Sequence, residues 1–160
     1  MDKANRFFTP TLYRMVRLDW LVIMIALSIV VAMHWREINW WMFLIVFWWI
    51  DFVGTAPGMY YQGRYPERPV PRWTIVAYNF CHSFTTVGII TAIWYAFTGF
   101  QWEMLAMPIH LAGDRSVFGN IYKHFDPRFE PHPDPGYERF ETEFMRSRDG
   151  HASPRAASKA

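Results

Sequence analysis

What this 160-residue chain lacks narrows it first. It holds a single cysteine, Cys81, so no intrachain disulfide forms and the redox compartment stays unread. It has no internal repeat, no glycine-rich phosphate loop and no nucleic-acid motif, which removes repeat scaffolds, nucleotide-loop enzymes and nucleic acid as a partner. The N-terminal MDKANRFFTPTLYRMVRLD contains Asp2 and Asp19, and no small-residue cleavage site follows the first apolar run. A secretory signal is therefore not expected, and that run reads as a retained span.

The most telling absence is charge. Trp20–Met33 (WLVIMIALSIVVAM) carries none, nor does INWWMFLIVFWWI, closed by Asp51, and Trp73–Trp102 is thirty residues without Asp, Glu, Lys or Arg. A helix needs about 20 mostly apolar residues to cross a hydrocarbon layer. A soluble bundle would set a charged face opposite each apolar stripe, and these runs have no charged face. The expected fold is all-α, a polytopic membrane bundle of about four transmembrane helices with a partly disordered C-terminal tail. Spans are expected near 18–35, 38–58, 73–98 and 101–121. They follow a flank over 1–17 and precede a cytoplasmic Pro-rich, charged tail over 124–160. The fourth segment, with MLAMPIHLAG before Asp114 and Arg115, has the weakest apolar signal.

Basic residues orient the bundle. Lys3, Arg6, Arg14 and Arg17 precede the first span, and Arg64, Arg68 and Arg72 lie between the second and third; the opposite side has only Arg36. Both termini are therefore expected in the cytoplasm, in a plasma (inner) membrane, with an even number of spans. Trp35, Trp40, Trp41, Tyr60 and Tyr61 fall where interfacial anchors belong. In the tail, Tyr137, Phe140, Phe144 and Met145 are spaced for a short helix over 137–148, the last dozen residues read as disordered, and His124, His132 and His151 read as solvated.

Ionisable residues inside spans are expensive, so each is a functional candidate. Counting about 1.5 Å per residue, Asp51 lies roughly 20 Å and His82 roughly 14 Å into their spans, with His110 and Asp114 about 14 and 20 Å into the fourth. All four fall in the middle to cytoplasmic half. His110 and Asp114 share a helix face at i,i+4, and Asn79 and His82 share one at i,i+3. Pro108 is expected to bend the fourth helix. Two His and two Asp from three helices form a plausible set for a divalent metal, zinc or iron, with Asp114 and Arg115 as candidate catalytic groups and Tyr78 and Asn79 in a supporting polar network. The same residues also read as hydrogen-bonded ties between helices, or as part of a haem, quinone or proton path.

Asp51-Phe-Val-Gly54, Tyr78-Asn79-Phe-Cys-His82, His110-x-x-x-Asp114-Arg115, then Gly119 and Lys123 resemble a bacterial family of small integral-membrane proteins of unknown function. The resemblance covers about residues 40–123. It implies that the Asp, His, His and Asp-Arg positions belong together and supplies no activity. This sequence departs from it in a longer central loop, GRYPERPVPR, and at Phe118-Gly119-Asn120. Three functions follow as expectations. The first is an accessory or structural subunit of a membrane complex, with the bilayer and other subunits as partners. The second is a metal-dependent enzyme on a lipid-like substrate, with Arg115 on an anionic headgroup. The third is a haem, quinone or proton-handling protein.

Overall fold

The computed structural model describes residues 10–125, 128–130 and 135–152, and over these the chain is all-α, with no strand. It forms two compact units that meet between Phe129 and Glu130. In the first unit, α1 (Pro10–Met33) is followed by α2 (Trp40–Gly54), α3 (Ala56–Arg64), α4 (Arg72–Cys81) and α5 (Phe84–Thr98). A 3₁₀ turn (Trp102–Leu105), α6 (Ala106–Gly113) and a π turn (Asp114–Phe118) complete it.

Among the described residues one helix is long and apolar enough to cross a membrane: Thr11–Met33, whose most apolar 18-residue stretch has mean hydropathy 2.2. The number rises to three if each of two bent pairs counts as a single span, α2 with α3 (41°) and α4 with α5 (58°). The bend at Gly54–Ala56 has a covalent cause, because Pro57 in the first turn of α3 has no N–H to continue the α2 ladder. The second bend divides the run expected as one span over 73–98. His82 leaves the helical region at φ −91°, ψ 15°, and Ser83 is extended before α5 starts. The His82 ring at the break is buried, 3% exposed.

The fourth expected span differs most. Its α-helix is only eight residues long, between a 3₁₀ turn and a π turn, and it does not meet the length and apolarity that a lipid-facing span needs. It is covered by protein instead: Ala106, Met107, Leu111 and Ala112 are each at most 1% exposed. Pro108 does not bend it, for it sits in the first turn of α6, where an N–H has no helical partner to lose. Met107 and Leu111 pack with Ile50, Cys81 and Val87 around the crossing of α2, α4, α5 and α6. Outward faces are the reverse, with Trp41 79% and Phe97 86% exposed.

Two locks hold α6 in place. At one end His34 stacks on Trp102 with centroids 3.7 Å apart, Trp102 Nε1 donates to Glu37 at 2.9 Å, and Asn39 N donates to buried Glu103 at 2.5 Å. At the other end Arg17 donates to the carbonyls of Ser116 (2.7 Å) and Val117 (2.6 Å), and Tyr13 to that of Gly119 (3.1 Å). Gly119 closes the π turn at φ +75°, and a Cβ there would lie 2.0 Å from the Tyr13 hydroxyl, so only glycine suits. Phe129, expected in a solvated tail, is 1% exposed and packs with Val70, Ile75 and Tyr78. In the second unit α7 (Pro135–Ala152) extends the helix expected over 137–148, with Tyr137, Phe140 and Phe144 exposed. His132 and residues 153–160 lie outside the described residues.

Candidate metal centre

Two helices, a helix break and a π turn bring the four ionisable residues to one point. Asp51 comes from the last turn of α2, His82 from the α4–α5 break, His110 from α6 and Asp114 from the start of the π turn. His82 Nε2 lies 3.6 Å from Asp51 Oδ1 and 3.3 Å from Asp114 Oδ2. His110 Nε2 lies 3.7 Å from Asp51 Oδ2 and 3.4 Å from Asp114 Oδ2. Donors of Asp51, His82 and His110 all fall within 4.8 Å of one another.

These separations carry chemical information. An imidazole N–H bonded to a carboxylate sits about 2.7–3.2 Å away. Four ligands about 2.0–2.2 Å from a tetrahedral ion are spaced about 3.3–3.6 Å apart. The four His–Asp separations, 3.3–3.7 Å, are longer than such a hydrogen bond and near the second spacing, and the group whose donors all fall within 4.8 Å of one another is Asp51, His82 and His110, without Asp114. Both ring nitrogens of His110, and Asp114 Oδ2, are buried without a hydrogen-bond partner. Burying such atoms unsatisfied costs about 1–3 kcal/mol each, which bound metal would offset at Nε2 and Oδ2.

Surrounding groups orient the donors. His82 Nδ1 lies 2.9 Å from the Tyr78 carbonyl, which selects the tautomer with its proton on Nδ1 and leaves the Nε2 lone pair towards the cluster. The Tyr78 ring stacks on the same imidazole at 3.9 Å. Thr55 donates to Asp51 Oδ1 at 2.7 Å. Phe47 meets the His110 ring edge-on at 4.7 Å. Gly54 lies beneath His82, and a Cβ there would approach Cε1 to 3.1 Å. His82 and His110 are 3% and 4% exposed at the side chain, whereas Asp51 is 33% exposed, so the cluster opens on the Asp51 side.

Asn79 and Arg115 do not join it. The Asn79 amide makes a paired contact with the Lys123 backbone, 2.8 Å each way, and so ties the chain end to α4. Arg115 turns to the rings of Trp20, Phe84 and Tyr122. Thr55 and Gly54 were not singled out as supports; their proximity to Asp51 was the available signal, and it could not say which neighbour faces the cluster. No family model, curated protein or solved structure matches this chain.

Proposed function

We propose that this chain is a multi-pass membrane protein with an intramembrane divalent-metal centre at Asp51, His82, His110 and Asp114, acting as a metal-dependent enzyme on a lipid-like substrate. The observation that carries the reading is the convergence of two Nε2 atoms and two carboxylates at 3.3–3.7 Å, with His110 and Asp114 atoms otherwise unpartnered. Side chains that only tied helices together would close to hydrogen-bond distance. Two imidazoles with two carboxylates suit zinc or iron. Carboxylates this close to both Nε2 atoms occupy the space a porphyrin plane would need, which favours a bare ion over haem.

A metal held by Asp51, His82 and His110, the three residues whose donors lie within 4.8 Å of one another, would keep an open position for a water and would acidify it towards a pKa of about 7 for hydrolysis, with Asp114 beside it. The chain's own groups do the positioning. Thr55 fixes the Asp51 carboxylate, the Tyr78 carbonyl fixes the His82 tautomer, and Asp51 forms the open side through which substrate and water reach the centre. The accessory-subunit reading keeps one specific support, an apolar groove of about 440 Å³ on α2 lined by Trp41, Leu44, Ile45, Trp48, Trp49 and Phe52.

Four crossings belong to the same proposal. The segment 102–118 begins against His34 and ends against Arg17, so it runs the length of α1 in reverse. Arg17 in α1 and His34, one residue past its end, are about 26 Å apart at the helical rise, close to a bilayer core. A protein-covered segment needs no apolar surface of its own to cross. Both termini then lie on the basic, cytoplasmic side of the plasma membrane. Membership of the small bacterial membrane family that the motifs resemble is part of this reading.

Elemental analysis of the detergent-purified full chain tests it. The expected result is about one zinc or iron per chain, lost in His110→Ala while helicity is kept. A folded, metal-free wild type from metal-replete cells would sink the metal centre.

A further inference from the structure

We infer that Arg115 is the phosphate-binding residue of an anionic lipid site next to the metal centre, with one acyl chain of that lipid lying in the groove between α5 and α6. Arg115 is 9% exposed. Its guanidinium carbon lies 4.6 Å from the Trp20 ring and 4.5 Å from the Phe84 ring, which are themselves stacked at 5.0 Å, and 5.7 Å from Tyr122. Aromatic rings shield the charge and partly stabilise it. They accept none of its five N–H donors in the way an oxygen does.

No acceptor meets those donors among the described residues. The neighbouring carboxylate, Asp114, directs Oδ2 to the two imidazoles. The carbonyls of Ser116 and Val117, on the same turn, are taken by Arg17. A residue that is nine-tenths buried and carries a charge without a counter-charge is costly, and its planar fork of donors matches two phosphate oxygens. Adjacency fixes its place: Arg115 follows Asp114 in the chain, and Phe84, under its guanidinium, stands two residues after His82.

A second observation points from the headgroup to the chain. Phe84 also lines an apolar cavity of about 490 Å³, with Val87, Gly88, Tyr95, Met104 and Pro108 among its walls. One ring therefore borders both the unpaired cation and the groove. A molecule with a phosphate at one end and a hydrocarbon chain at the other complements both. Free phosphate would use only the first.

The inference gives the substrate class of the proposed metal centre and rests on that reading only for catalysis, so binding is measured without metal. Full-length protein is stripped with EDTA and titrated with dioleoyl phosphatidic acid, with adducts counted by native mass spectrometry. Arg115→Gln should weaken binding about 10- to 100-fold, the loss of a charged hydrogen-bond partner. Gly88→Leu is the second variant. A Cβ at Gly88 meets nothing within 4 Å, so the side chain enters the groove without disturbing the fold and should weaken lipid binding while leaving inorganic phosphate competition intact. Binding unchanged in Arg115→Gln overturns the phosphate site. Inorganic phosphate binding as tightly as the lipid, with no effect of Gly88→Leu, overturns the lipid. Metal content is read separately, so failure of the metal centre leaves this outcome untouched.

Discussion

Among the described residues histidine and carboxylate meet in two places, and the two meetings differ. At the α1–α2 corner His34 Nδ1 bonds Glu37 at 3.0 Å, and Glu37 also accepts from Trp102, while Glu103 accepts from Asn39. Every separation there is a hydrogen-bond length, and the hydrogen bonds from His34 and Trp102 hold the exposed Glu37 carboxyl below its ordinary pKa. Around Asp51, His82, His110 and Asp114 the same residue types stand 3.3–3.7 Å apart with buried atoms left over. The first arrangement satisfies itself and needs nothing more to be a fastening. The second leaves buried polar atoms unsatisfied at separations longer than a hydrogen bond, the feature on which the proposed metal centre rests.

The largest expected break in that comparison comes from metal removal. EDTA should lower the Tm of the wild type by on the order of 10 °C, since a ligand at 100–1,000 times its Kd contributes about 3–4 kcal/mol. His34→Ala should show the same chelator-dependent drop. An equal Tm with and without EDTA in a metal-loaded sample would make the two His–carboxylate groups alike. A finer probe is Gly54→Ala, whose methyl would stand 3.1 Å from His82 Cε1 and 3.2 Å from Nδ1. Displacing the ring should cost roughly 10- to 100-fold in metal affinity, the usual effect of disturbing a ligand's support, and competition with a fluorescent chelator measures it. Unaltered affinity would mean that His82 is not a ligand. The smallest effect belongs to the corner. Glu103→Ala removes the acceptor for Asn39 N and should destabilise by about 1–3 kcal/mol in a thermal melt, with metal content unchanged. A loss of metal in that variant would show the two regions to be coupled.

The sequence was informative where physics is local. Charge-free runs and their apolar density predict helices, and the apolar part of α1 follows from Trp20–Met33, whereas its start at Pro10 falls in the stretch expected as a flank over 1–17. Asp51, His82, His110 and Asp114 stand out because each is costly in such a run. Depth counting at a fixed rise brings them to similar levels, and all four side chains do meet. The bend at His82 was not legible, because no Pro or Gly stands at the break and the thirty-residue run is uniformly uncharged. Neither was the role of Asn79. Helical spacing sets it beside His82, but a paired contact with the Lys123 backbone, 44 residues away, claims its amide. Phe129 looked like part of a solvated tail, since its neighbours are Pro and charge; its burial depends on a hollow made by other elements.

What the sequence determined by itself is helical structure with strongly apolar surfaces and a set of buried ionisable groups, since both follow from the cost of exposing or burying particular side chains. Tertiary structure decided how those groups relate. It set two carboxylates 3.3–3.7 Å from two imidazoles, through a helix break and a buried eight-residue helix that no single segment specifies. It also set Arg115 against the rings of Trp20 and Phe84. The reason is physical: local preferences act over a few residues, whereas a distance between side chains on different helices depends on every crossing angle and bend between them.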